Sequence, residues 1–350
     1  MMSNIYDLNP YSLEKKQKEA LLISELNELT NFHYKNCNEY KNILNAFGYK
    51  KAEKLEDFFP MPVLLFKEYE LKSSQNIVKT LTSSGTTSSK VSKIFLDKET
   101  AVLQTKALIK IMQDFLGKKR LPMLIVDTKS TVSNRYKFSA RAAGILGLSN
   151  FGRKHTYVLD DDMRLKKELL SEFLNTYKDE KILIFGFTFM VWEYFYKQIK
   201  DLNLDLSNAI LFHSGGWKKL ENIKVSNELF KNSFAKCCGL KNIHNFYGMV
   251  EQVGSIFVEC EEGHLHTPNF ADIIIRDPIT LKPLPKGQKG VIELLSLVPK
   301  SYPGHVILTE DVGVILGEDD CKCGRKGKYF KVLGRLKKAE QRGCSDTFGN

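Results

Sequence analysis

Tryptophan is scarce, with two residues in 350, and no segment approaches the run of about 18 apolar residues that a membrane span requires. The longest apolar stretch, Ile182 to Trp192, is of a length for a buried strand and turn. The opening residues, MMSNIYDLNPYS, have neither the basic start nor the apolar middle of a secretory signal, so the expected compartment is the cytoplasm. No internal repeat is visible. Formal charge is +11, which attracts anions, yet no basic run is interleaved with aromatics and the lysines are scattered as on solvated helix faces, so nucleic acid is not an expected partner. Seven cysteines, an odd number in a chain without a secretory start, read as thiols or metal ligands rather than disulfides.

What is present is a pattern of alternating elements. Residues 12–30 carry Leu21, Leu22, Leu26 and Leu29 at helical spacing with Ser12 as the expected N-cap. Asp97 is placed to cap a second helix, with Leu108, Ile111, Met112 and Phe115 on one face and Gly117 at its end. Short apolar runs follow at 121–127, 156–160, 181–186 and 209–213, separated by helical stretches including 164–178 and 220–236, an order that predicts a mostly parallel sheet covered by helices. Beyond residue 250 the runs ADIIIRDP and GVIELLSL flank a Pro- and Gly-rich connection and predict a β-hairpin with a long loop.

Three stretches carry candidate chemistry. LTSSGTTSSK at 81–90 offers small residues, hydroxyls and a terminal lysine. Those are the parts of a polyphosphate cradle, although the G-x-x-x-x-G-K-[ST] spacing is absent and a Ser/Thr linker has the same composition. HSGGW at 213–217 follows an apolar run, where an α/β sheet presents its ligand crevice. There Gly215 and Gly216 permit close backbone approach, His213 is a substrate contact or a satisfied core histidine, and Trp217 walls a pocket or fills core. CEEGHLH and CKCG place Cys260, His266, Cys321 and Cys323 as a Cys₃His set suited to structural Zn2+; unliganded thiols are the alternative.

The order of motifs resembles the adenylate-forming superfamily of acyl-CoA synthetases and peptide-synthetase adenylation domains. Its phosphate loop falls on Thr82, Ser83, Ser84, Gly85, Thr86, Thr87 and on to Lys90, with Ser88 for the usual second glycine and no proline. Its Y-G-x-T-E falls on Tyr247, Gly248 and Glu251, with Val250 for threonine. Its ribose-holding aspartate falls on Asp311, and its G-R hinge on Gly334 and Arg335. PMPVLLFK, GGWKK, FYGMVEQ and the tail RGCSDT further resemble the acyl-protein synthetase family, LuxE.

That resemblance implies an α/β adenylate-forming large domain, with mostly parallel helix-covered sheets and a β-rich subdomain. The C-terminal lid domain is expected to be essentially absent, since 15 residues follow Arg335. The expected segments are a helical part at 1–80, a nucleotide-binding core at 81–250, a β-rich part at 251–333 and a tail at 334–350 carrying Cys344.

The implied reaction is ATP-dependent activation of a carboxylic acid, expected to be a fatty acid, as an acyl-adenylate. Mg2+ is expected on Glu251, with Lys90 at the pyrophosphate and Cys344 capturing the acyl group as a thioester for a partner acyl reductase. Arg342, Lys337 and Lys338 give Cys344 a basic setting that favours its thiolate, although an incidental terminal thiol fits the same residues. An acyl-CoA or aryl-CoA ligase, or a degenerate nucleotide-binding scaffold, are the alternatives.

Overall fold

The computed structural model describes residues 5–83, 90–133, 140–217 and 225–336. The chain forms two compact units, the first taking in the sequence up to Phe115 and again from Tyr247, the second Leu116–Phe246.

In the first unit the helix Lys15–Asn36 starts with Glu14 at its N-cap. The hydroxyl of Ser12, the expected cap, instead donates to the carbonyl of Asn9 at 2.8 Å, so the helix begins two residues later than its composition predicts and runs on past residue 30. Three strands follow: β1 (Met61–Pro62), β2 (Ile77–Thr82) and β3 (Lys93–Asp97), with β2 and β3 antiparallel. Asp97 does cap the next helix, Lys98–Leu116, accepting from the amide of Thr100 at 2.8 Å.

The second unit holds β4 (Leu121–Ile125), β5 (Gly152–Tyr157), β6 (Ile182–Phe187), β7 (Ala209–Ser214) and all but the last residue of β8 (Asn242–Tyr247), in the order β5-β4-β6-β7-β8. All neighbours are parallel, as alternating apolar runs and helices predict. β6 is buried along its whole length, which is why it reads as a continuous apolar run. The helices Lys167–Thr176 and Asn227–Cys238 lie between strands; Ser226 caps the second by accepting from the amide of Leu229 at 3.1 Å. That helix starts later than 220, and the expected strand at 156–160 sits at 152–157, with Val158 and Leu159 buried just beyond it.

On returning to the first unit the chain forms β9 (Phe257–Glu259), β10 (Leu265–His266), β11 (Ala271–Arg276), β12 (Lys289–Ser296), β13 (Val306–Glu318) and β14 (Lys328–Arg335). Their order is β11-β12-β13-β14-β10-β9, antiparallel throughout, and β1 joins β13 in parallel through Met61 and Ile307. The expected hairpin is β11–β12, with Ala271 opposite Ser296. A core of Tyr40, Leu44, Met61, Phe66, Ile94, Tyr302 and Ile307 fills this unit. Fully burying such side chains contributes roughly 1.5–3 kcal/mol each.

Candidate functional site

β13 and β14 position the first group of site residues. Their register sets Asp311 opposite Arg335, and Arg335 Nε lies 3.4 Å from Asp311 Oδ1 while its Nη2 donates to Glu310 at 2.9 Å. Thr309 steadies the strand where its register against β12 shifts: its Oγ1 accepts from the amide of Asp311 at 3.0 Å and donates to the carbonyl of Ile292 at 2.8 Å. Sequence reading passed over Thr309, although it stands in the same LTEDVG stretch.

Tyr247, at the end of β8, has its ring 6.2 Å from Phe257 and 6.4 Å from Phe330, and its hydroxyl donates to Asp311 Oδ2 at 2.6 Å. Burial and the adjacent Asp311 carboxylate hold that hydroxyl well above its ordinary pKa, so it stays a donor. Burial also raises the Asp311 carboxyl, against the pull of the Tyr247 hydrogen bond and of Arg335.

Glu251 lies in the short 3-10 turn Val250–Gln252, after Gly248, and is 6% exposed. Burial raises its pKa, the Ser92 hydroxyl and the charge of Arg335 acting the other way. A carboxylate this enclosed is not an ordinary surface glutamate; enclosure of an anion is offset by a cation or by hydrogen bonds.

The β2–β3 hairpin leads into the Ser/Thr loop. Thr82 pairs with Lys93, the amide of Ser83 donates to the carbonyl of Ser92 at 3.1 Å, and the amide of Ser92 donates to Ser83 Oγ at 2.9 Å. Lys90 is exposed and paired with Glu68 at 2.5 Å. Ser84, Gly85, Thr86 and Thr87 lie outside the described residues, as does Cys344.

In the second unit His213 is the last but one residue of β7 and is 2% exposed. Its Nδ1 is 2.9 Å from Thr188 Oγ1, its ring stacks on Phe230 at 4.6 Å, and its buried Nε2 has no hydrogen-bond partner among the described residues. Burial pushes its pKa down to about 3, with Lys231 and His244 acting in the same direction, so the ring is neutral. Gly215 and Gly216 are exposed, while Trp217 is buried edge-on to Trp192 at 6.1 Å. Trp192 belongs to a π-helical turn, Val191–Tyr196, a distortion often found where helices serve a site.

The four metal-ligand candidates converge in the first unit. One donor atom from each of Cys260, His266, Cys321 and Cys323 lies within 4.8 Å of every other, with Cys260 Sγ 3.9 Å from Cys321 Sγ and Cys323 Sγ 3.3 Å from His266 Nε2. Soft thiolates with one imidazole can hold a tetrahedral divalent ion.

This fold is shared with the adenylate-forming ligases. An open-conformation structure of 2-hydroxyisobutyryl-CoA ligase, in complex with 2-HIB-AMP and CoA, superposes with a TM-score of 0.72 over 96% of this chain and 79% of that one, at 15% identity. The chain belongs to the LuxE acyl-protein synthetase family, which matches it over residues 1–350. It is 23% identical to a long-chain-fatty-acid–luciferin-component ligase of Aliivibrio fischeri over 99% of this chain and 92% of that protein. It is 22% identical to the ligase of the same name from Vibrio harveyi, over 95% and 87%. Among the described residues no helix is long and apolar enough to cross a membrane.

Proposed function

We propose that this protein activates a fatty acid with ATP and carries the acyl group on Cys344 for delivery to a partner reductase. Membership of an acyl-protein synthetase family and an adenylate-forming fold support the activation step. The observation that carries the reading is the convergence of Tyr247 and Arg335 on the Asp311 carboxylate, with buried Glu251 in the same unit.

A carboxylate cannot be attacked directly by a thiol at neutral pH, because oxide is too poor a leaving group. Activation solves this in two displacements. The substrate carboxylate oxygen attacks the α-phosphorus of ATP, the bond to the bridging oxygen breaks, and pyrophosphate leaves. The thiolate of Cys344 then attacks the acyl carbon, AMP departs, and a thioester remains.

In this scheme Asp311 accepts the ribose hydroxyls, with Tyr247 and Arg335 fixing its carboxylate. Thr82, Ser83 and the loop beyond them take the departing phosphates. Lys90 joins them readily, because an exposed pair such as Lys90–Glu68 is worth only about 0–1 kcal/mol and exchanges at little cost. Glu251 is the residue that would hold Mg2+, whose positive charge offsets what develops on the phosphates. His213 and Trp217 contact the acid. The tail 334–350 is the carrier segment, and Cys260, His266, Cys321 and Cys323 hold a structural ion.

Intact-mass measurement after incubation with ATP, Mg2+ and a series of fatty acids tests the proposal. Wild type should gain one acyl mass that hydroxylamine removes, and Cys344→Ser should release pyrophosphate but gain nothing. An acyl group that remains on Cys344→Ser, or free acyl-CoA as the main product when CoA is added, would contradict it.

A further inference from the structure

Cys260 and Cys321 open two tight turns of the same design. The carbonyl of Cys260 accepts from the amide of Gly263, and that of Cys321 from the amide of Gly324, each at 3.0 Å. Both glycines are left-handed, with φ of +77° and +82°, a conformation that residues with a Cβ rarely adopt. The turns bring their sulfurs together at 3.9 Å. A tetrahedral ion with bonds of about 2.3 Å to sulfur sets its sulfurs about 3.8 Å apart, so the cradle has the span of a metal centre.

What holds the turns in place is outside the ligand set. Arg325, two residues after Cys323, donates from Nη1 to Glu261 Oε2 at 2.7 Å, and Glu261 directly follows Cys260. The same guanidinium donates from Nε to Asp114 Oδ2 at 2.8 Å and lies over the ring of Phe115 at 4.2 Å. One side chain, 13% exposed, therefore ties the residue after the first ligand to the residue after the second turn and anchors both on the end of the helix Lys98–Leu116. His264 adds a contact of its own, with Nδ1 3.5 Å from Cys321 Sγ and its ring stacked on Tyr329.

We propose that Arg325 is the positioning residue of a closed structural site for a divalent, thiophilic cation of the zinc class. It clasps the two ligand-bearing turns at coordination distance before the ion arrives. The proposal rests on reading Cys260, His266, Cys321 and Cys323 as a metal site. Four protein donors fill a tetrahedral shell, so the site stabilises the β-rich sheet and leaves no coordination position for substrate.

The test is titration of chelator-stripped full-length protein with Co2+, followed by competition with Zn2+. Wild type should bind one equivalent, with the visible bands of tetrahedral cobalt and a thiolate-to-cobalt charge-transfer band, both lost in Cys321→Ser. Arg325→Met should keep the spectrum while weakening affinity about 10–100-fold, the usual effect of removing an outer partner. Glu261→Leu, at an exposed position that spares folding, should weaken it in the same direction by roughly threefold or more. Lys326→Met, whose partner is the exposed Glu14, should match wild type. If wild type takes up neither ion, the metal reading falls and the clasp with it. If wild type binds while Glu261→Leu, and Arg325→Met where it folds, bind as tightly, the clasp alone is overturned.

Discussion

The hydroxyl of Tyr247 donates to the carboxylate of Asp311 at 2.6 Å, across 64 residues of sequence. Each residue belongs to a separate motif, and neither motif suggests the bond. Arg335 on the neighbouring strand faces the other oxygen of the same carboxylate. Asp311 is thus fixed from two sides, with the lone pairs that remain directed by its neighbours rather than by solvent.

That arrangement separates two substitutions. Tyr247→Phe should raise KM for ATP about fivefold, the effect of one hydrogen bond of about 1 kcal/mol. Asp311→Ala should lower kcat/KM for ATP on the order of 100-fold, because two charged hydrogen bonds to ribose are lost. Pyrophosphate release reports both, and an unchanged KM for ATP in Asp311→Ala would remove the ribose assignment.

Glu251 gives a prediction in pH. Burial raises its pKa, so its negative charge is lost earlier on acidification than that of an ordinary glutamate. Pyrophosphate release in wild type should fall along an acid limb. Glu251→Gln should be slower by on the order of 10²–10³-fold at neutral pH and keep only the part of that limb set by Asp311, whose carboxyl burial also raises. A rate and Mg2+ dependence equal to wild type would exclude the role given to this residue.

Lys18, Lys328 and Asp272 form a buried group with two positive charges and one negative. Lys328 Nζ donates to Asp272 at 3.1 Å, and Lys18 Nζ stands 3.8 Å from the other oxygen while donating to Thr267 at 2.8 Å. Burial pushes the Lys18 pKa down to about 8. Asp272→Asn leaves two buried cations facing each other and should cost about 3–5 kcal/mol. Lys18→Met leaves a matched pair and should lie within about 1 kcal/mol of wild type. Thermal unfolding of the two variants decides; equal losses would mean that charge balance is not what matters here.

A buried histidine pair sets an acid limit to stability. The rings of His33 and His305 are 4.8 Å apart; His33 Nδ1 meets Ser73 Oγ at 2.8 Å, and His305 Nε2 meets Thr30 Oγ1 at 2.9 Å. Burial pushes His33 down to about 3, and burial with the neighbouring ring holds His305 well below its ordinary value. The unfolded chain takes up these protons near pH 6.5 and the folded chain does not. Stability is therefore complete above about pH 6.5 and falls as pH drops toward 3, by about 1.4 kcal/mol per unit for each histidine. His305→Gln should make the fall of Tm below pH 6 shallower; an unchanged slope would rule the pair out as its source.

His213 separates stability from function. Among the described residues its Nε2 has no partner, and a buried nitrogen left unpaired costs about 1–3 kcal/mol. His213→Leu removes that nitrogen but also the bond to buried Thr188 Oγ1, so Tm should change little while KM for the acid rises. A variant that loses stability and keeps its KM would make His213 a core residue only.

Local pattern was enough for much of the architecture. The apolar runs and the helices between them gave parallel strands, because a strand buried on both faces admits few polar residues. ADIIIRDP and GVIELLSL gave the β11–β12 hairpin, and Asp97 its cap, because turns and caps depend on residues within a few positions of one another. Element ends were less legible. Ser12 has the right side chain for an N-cap, but its hydroxyl goes to Asn9 while its amide donates to Asn269, and the helix starts at Lys15. The winning contact lies 257 residues away, where no local rule reaches.

By itself the sequence determined which residue types were available to each site: the thiols and imidazole of CEEGHLH and CKCG, the aspartate of LTEDVG, the glutamate of YGMVE. Tertiary structure alone decided which of them meet and in what environment. Strand register set Asp311 against Arg335, and packing brought Tyr247 to the same carboxylate. Packing enclosed Glu251, and a guanidinium between two turns drew Glu261 and Asp114 together. Side-chain chemistry is written residue by residue. Distance and dielectric, which fix what that chemistry does, arise only when segments far apart in the chain are packed against one another.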